Sequence, residues 1–328
     1  MAKQKKRILV VGHKGMLGTD LLALLRGGEA GAGGGSAAPD GGEIEYEAVG
    51  ADIGEIDITD INSVLRCVRG IRPDILINCA AYTNVNGCET ETELAYQVNA
   101  LGPRTLGVAC EELGAPIVHI STDYVFNGKK AAAAGRLPSG ADHPAAVAGG
   151  PPEVGGYEEW DATDPLSAYG KTKLAGELNL GFVTNRAYIV RTQWLYGVHG
   201  KNFVRTMLGL AKDRKEVTVV NDQFGCPTYS KDLAGAIIRL IGSPVYGLYH
   251  ITNSGVTSWY EFTREIFRQA GIPEQNVSVR PCATSEYPSP AARPAYSPLA
   301  NTNWERGGFA PMRPYQEALA DYLKEAMP

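Results

Sequence analysis

The chain has 328 residues, 44% hydrophobic and 20% charged, with a formal net charge of −5. That length buries a large core, in one big domain or two moderate ones. The acidic balance without a long basic run argues against a dedicated nucleic-acid binder, and no apolar stretch approaches the ~20 residues of a membrane span.

The basic cluster at 3–7 is short and leads into a strand, so it reads as a solvated N-terminal arm. No signal peptide is expected, because the first apolar run is too short. That run, 7–11, is rich in β-branched residues and predicts a first strand. It is followed at once by Gly12-His13-Lys14-Gly15-Met16-Leu17-Gly18, a G-x-x-G-x-x-G variant of the dinucleotide fingerprint. Gly12 would make the tight turn, Gly15 would let backbone approach a pyrophosphate, and Gly18 would let the next helix pack on the sheet. That helix, 16–26, carries leucines at helical spacing. Its first turn, at Met16 and Leu17, would offer free N–H groups and the positive end of the dipole to phosphate.

A Gly- and Ala-rich stretch near 27–43 reads as a flexible surface insertion. The second strand, 46–51, ends at Asp52. An acid there commonly accepts a hydrogen bond from the adenosine ribose hydroxyl, which favours NADH. His13 and Lys14 could pair with a 2′-phosphate, so NADPH stays open beside it. Asp57 or Thr59 would cap the following helix, and Asp57 and Ile58 could also flank the adenine. A buried strand at 73–78 leads into Ala80-Ala81-Tyr82-Thr83, small enough at first for a cofactor to lie against the backbone. A helical region at 91–109 is broken or kinked near Gly102-Pro103. Asn99 within it fits a structural polar contact or a cofactor-side one, the structural reading being preferred.

The apolar run 116–120 predicts a strand that delivers Ser121-Thr122-Asp123-Tyr124-Val125-Phe126. Thr122 falls at its carboxyl end, where open α/β sheets place their ligands. A second irregular stretch near 128–164 is rich in Ala, Gly and Pro, and either a lid or a tolerated surface loop fits it. Tyr169 and Lys173 then stand four apart, on one face of a helix. A phenol titrates near pH ~10, and an adjacent ammonium favours the phenolate and makes it a usable acid or base. Hydroxyl, phenol and ammonium together are the groups that reduction of a carbonyl by nicotinamide hydride requires.

A strand at 187–191 ends near Trp194, which either packs in the core or covers a sugar or nucleotide ring. Beyond it lie shorter mixed elements: helices at 203–211, 232–241 and 259–270, strands at 217–220 and 246–251, a polar loop at 221–228, and a Pro-rich extended segment at 287–299. Arg293 in that segment is either solvated or a fork for a diphosphate. Six scattered cysteines without metal-like pairing fit free thiols in the cytoplasm. The predicted fold class is α/β: a Rossmann-type doubly wound parallel sheet over 1–195, with a smaller mixed α/β substrate domain over 196–328.

The stretches 12–18, 78–83, 121–126, 169–177, 191–194, 202–207, 221–228 and 287–301 together resemble the dTDP-4-dehydrorhamnose reductase family of extended short-chain dehydrogenase/reductases. The resemblance covers nearly the whole chain. It implies hydride transfer from NADPH or NADH to the C4 keto group of dTDP-4-dehydro-L-rhamnose. It implies that Tyr169 protonates the alkoxide, Thr122 binds the carbonyl oxygen, Lys173 tunes Tyr169 and holds the nicotinamide ribose, and Asp123 and Trp194 contact the sugar nucleotide. No metal ligand cluster is apparent and no metal is expected; the family allows a homodimer. The chain departs from the family at Val85-Asn86-Gly87-Cys88-Glu89, where Asn86 replaces an acid and Cys88 a small residue. Two other readings remain: a non-catalytic NADP-binding regulatory subunit like the methionine adenosyltransferase β subunit, against which the intact Thr122, Tyr169 and Lys173 stand, and a reductase or epimerase of another nucleotide-activated sugar.

Overall fold

The computed structural model describes residues 4–27, 44–130 and 155–327. The Gly/Ala-rich insertion and the greater part of the second irregular stretch lie outside the described residues. The chain forms two compact units, each discontinuous in sequence. The first comprises 1–122, 168–191 and 230–249; the second comprises 123–167, 192–229 and 250–328.

The first unit is built on a six-stranded sheet. Its strands β1 (Gln4–Val11), β2 (Ile44–Ala51), β3 (Ile75–Asn78), β4 (Ile117–Thr122) and β5 (Ala187–Thr192) are joined by Gly247–His250. The spatial order is Gly247–His250, β5, β4, β3, β1, β2. β1 pairs in parallel with both β2 and β3, and β3 in parallel with β4. This is the α/β, Rossmann-type sheet that the alternation of apolar runs and amphipathic segments predicts. β3 and β4 read as continuous apolar runs because a parallel sheet is covered on both faces. Leu9, Val11, Leu76, Leu106, Ile117 and Leu180 meet in one core around it.

Helix α1 (Met16–Gly27) follows the glycine motif directly. The next, α2 (Ile61–Ile71), starts later than the candidate caps Asp57 and Thr59 suggest. Its cap is Asp60, whose carboxylate accepts from Asn62 N at 2.9 Å. Asp57 instead closes a local turn, accepting from the backbone and hydroxyl of Thr59. All of these side chains are capping types, and only the backbone path decides which stands at the boundary. The expected break near Gly102-Pro103 is real but precedes the proline. A short helix, Thr92–Tyr96, passes through a wider π turn at Gln97–Leu101 into helix Gly102–Leu113. Pro103 sits in the first turn of that helix, where its missing N–H costs nothing. The catalytic candidates Tyr169 and Lys173 lie on helix Ala168–Gly181, and Thr122 ends β4.

The second unit has its own core, in which Tyr196, Val204, Val219, Tyr229, Phe262 and Tyr322 pack together. Its strands are short: Glu216–Val220 pairs in parallel with Ser278–Cys282, and Leu195–Tyr196 with Thr228–Tyr229. Helices Phe203–Asp213, Trp259–Gln269 and Tyr315–Ala326 cover them. Among the described residues no helix is long and apolar enough to cross a membrane.

Replacing Asp60 by alanine should remove the α2 cap and lower the unfolding free energy by about 1 kcal/mol. Urea denaturation of the variant measures it; an unchanged midpoint would show that the cap bond contributes nothing net.

Candidate active site

Helix Ala168–Gly181 carries Tyr169 and Lys173 one turn apart, as their spacing predicts. Tyr169 is half-buried. Lys173 is only 2% exposed, and its Nζ donates to the carbonyl of Ile120 at 2.6 Å. Ile120 belongs to β4, two residues before Thr122, which ends that strand. The ammonium is thus tied to the strand that presents the hydroxyl. Burial pushes its pKa down to about 8, and the carboxylate of Glu177 and the thiol of Cys79 pull in the opposite direction.

Two side chains from earlier in the chain support this helix, and only the Glu89 contact is not evident from the sequence. Glu89 Oε1 accepts from the backbone of Ala168 at 2.8 Å, so a distant carboxylate caps the helix start, where the dipole favours an anion. Asn99 is the structural contact expected. Its Oδ1 accepts from Tyr82 N at 2.8 Å, and its Nδ2 donates to Tyr82 O at 3.0 Å and to Thr172 Oγ1 at 3.3 Å. One amide therefore holds the Tyr82 backbone against helix Ala168–Gly181. Of the residues that depart from the family pattern, Cys88 is fully buried, with its sulfur 3.8 Å from Tyr82 O.

The glycine motif forms a close-packed turn. Gly12 has φ of 78°, and a Cβ there would lie 2.7 Å from Ala80 N. A Cβ on Gly18 would run into the Gly12 carbonyl. Any side chain at either position would push apart the turn, α1 and the 79–80 backbone. Gly15 is exposed at the head of α1, and the first turn of α1, from Met16, carries no acid to repel an anion. The residues present therefore fit a dinucleotide pyrophosphate at the helix N-terminus.

Asp52 follows β2 and accepts from Lys14 N at 2.9 Å and from Ile53 N at 2.8 Å. One of these bonds holds the glycine loop and the other the chain just after β2, which leaves acceptor capacity on the carboxylate for a ribose hydroxyl. His13 lies against Gly50, where a Cβ would be 2.5 Å from the ring, and its Nε2 is 3.7 Å from Glu55. Ala80, Ala81 and Tyr82 are half-buried and Thr83 exposed. Asp57 is exposed, and Ile58 is buried in the core of the first unit.

The other candidates belong to the second unit. Asp123 is 1% exposed and accepts from the Ser297 hydroxyl at 2.6 Å. Trp194 has φ of 47°, a left-handed conformation that a bulky residue rarely adopts. Its ring stacks on Trp259 with centroids 3.5 Å apart and planes 9° from parallel. Arg293 faces the phenol of Tyr124, which burial pushes up to about 12 against the pull of that guanidinium.

The model of the RmlD substrate-binding-domain family matches residues 6–327. The chain is similar to the spore coat polysaccharide biosynthesis protein SpsK of Bacillus subtilis, at 39% identity over 97% of each chain. It is 37% identical to the dTDP-4-dehydrorhamnose reductase of Mycobacterium tuberculosis over 98% of this chain and 94% of the relative. Among solved structures it is similar to dTDP-4-dehydrorhamnose reductase from Bacillus anthracis in complex with NADP. The TM-score is 0.81 at 38% identity, covering 98% of this chain and all of that one.

Lys173 makes a testable contribution to stability. Its folded pKa of about 8 lies below the ordinary 10.5, so the unfolded chain holds the proton more tightly. Below the folded value both states are charged and the burial penalty is full; above the ordinary value both are neutral and it is gone. Between about 8 and 10.5 this residue makes stability rise with pH. Denaturation of wild type and Lys173→Met across that window should show the difference between them shifting in favour of wild type as pH increases. Parallel curves would mean that the amine holds its proton as tightly in the folded chain as in the unfolded one.

Proposed function

The chain belongs to the dTDP-4-dehydrorhamnose reductase family, and from that membership we infer that it reduces the keto group of a dTDP-linked sugar with NADPH or NADH. The substrate proposed is dTDP-4-dehydro-L-rhamnose, reduced at C4 to dTDP-L-rhamnose. The observation that carries this reading is the buried Lys173, one turn from Tyr169 and bonded to the strand that ends in Thr122.

The nicotinamide, when bound, supplies the hydride. Thr122 donates a hydrogen bond to the carbonyl oxygen, and Tyr169 delivers its phenolic proton to that oxygen as negative charge develops. Lys173 favours the phenolate left behind and offers its remaining protons to the nicotinamide ribose. Gly12, Gly15 and Gly18, with the N-terminal amides at Met16 and Leu17, hold the pyrophosphate. Asp52, Asp57 and Ile58 serve the adenosine, and Ala80 to Thr83 line its path. Asp123 and Trp194 hold the sugar nucleotide, the indole by its face, and Arg293 takes the diphosphate with its planar fork. The six free cysteines accord with a reducing, cytoplasmic setting.

Tyr169→Phe should lower kcat by roughly 10²–10⁴-fold while leaving NADPH affinity in place, because it removes only the proton donor. Loss of NADPH absorbance with dTDP- and UDP-linked 4-keto sugars measures rate and substrate choice together. Equal rates for wild type and variant would reject the assignment.

A further inference from the structure

Beneath the reacting end of helix Ala168–Gly181 lies an ionic network that none of the steps above uses. Glu177 accepts from Arg191 Nε at 2.9 Å and from Arg191 Nη2 at 2.7 Å, in the forked geometry that suits a guanidinium. The two side chains are 6% and 4% exposed. The same carboxylate accepts the hydroxyl of Ser121. Ser121 is the neighbour of Thr122 on β4, Arg191 lies on β5, and Glu177 stands one turn beyond Lys173.

We propose that Glu177 is a positioning residue for the proton-donating pair: it supplies the counter-charge that keeps Lys173 an ammonium, and through Ser121 it fixes the strand end carrying Thr122 against the catalytic helix. The proposal rests on the reductase reading. Stability alone gives no reason for such a network, since a buried ion pair is often no better than packed hydrophobic residues of the same volume. What the pair does provide is a fixed negative charge one helical turn from a desolvated cation.

The groups facing Lys173 support this. From its own helix come Tyr169 and Glu177. From β4 come the Ile120 carbonyl and His119, whose ring burial and the nearby Lys173 hold far toward the neutral form. From the segment after β3 comes Cys79, whose thiol burial pushes up to about 12, so it is uncharged at neutrality. Of the two groups that raise the Lys173 pKa, Glu177 and Cys79, only Glu177 acts as an anion there. Arg191, from β5, is engaged by Glu177 and keeps that anion in place.

The test is the pH dependence of kcat/KM for NADPH-dependent reduction of dTDP-4-dehydrorhamnose by the full chain. Activity should fall on the alkaline side as Lys173 loses its proton. In Glu177→Gln, and in the double variant Glu177→Gln with Arg191→Met, that limb should move to lower pH by roughly one unit. Ser121→Ala keeps the ion pair, so its limb should stay where it is while kcat drops. A folded double variant whose alkaline limb coincides with that of wild type would overturn the proposal. The single variant leaves Arg191 buried without its carboxylate and risks unfolding; the double variant removes both charges and then carries the test. If the double variant also fails to fold, Ser121→Ala decides: a lower kcat upholds the positioning role, and an unchanged kcat leaves the pair structural only. An inactive wild type would instead reject the reductase reading itself.

Discussion

The bond from the buried ammonium of Lys173 to the carbonyl of Ile120 couples helix Ala168–Gly181 to β4, one of the two inner strands of the sheet. Taking a lone cation out of water costs several kcal/mol. The arrangement is tolerable because the ammonium gains a charge-assisted bond on one side and a carboxylate one turn away on the other. The same constraint fixes how helix Ala168–Gly181 lies along β4. Tyr169 cannot shift relative to Thr122 without breaking that bond or the contacts of Glu177 with Ser121 and Arg191.

A second constraint is steric. Parallel strands put their carboxyl ends on one edge of the sheet, and ligands of such sheets bind there. Gly12 follows β1, Asp52 follows β2, Cys79 to Thr83 follow β3, and Thr122 ends β4. The chain leaves each strand within a residue or two, so the turns crowd each other. Gly12 is backed by Ala80, and Asp52 reaches across to Lys14 N. A glycine and a short acid are what this crowding permits.

The second unit is packed differently. Its strands are too short to form a broad sheet, and aromatic side chains fill its core. Trp194 and Trp259 form a face-to-face pair with Phe203 against it, at 4.4 Å from Trp259. Trp194 holds a left-handed backbone that costs on the order of 1–3 kcal/mol, and such strain persists only where surroundings over-determine it. Gly225 accommodates the indole, since a Cβ there would lie 2.5 Å from the ring.

The sequence by itself determined the α/β class, the glycine turn, and the sharing of one helical face by Tyr169 and Lys173. Each of these is written in local spacing: a short apolar run, a three-residue glycine period, a four-residue repeat. It also carried the family, because the matching motifs extend along nearly the whole chain. Only the tertiary structure decided which acid caps α2, that Glu89 caps a helix 79 residues away, and that Asn99 braces Tyr82. Glu177 shows the boundary between the two. Its place four residues after Lys173 extends the repeat and was open to reading. Its partners Ser121 and Arg191 come from β4 and β5, and their convergence on one carboxylate follows from strand order. Spacing along a helix is local geometry that sequence encodes directly; which strands lie side by side is settled only when the core closes.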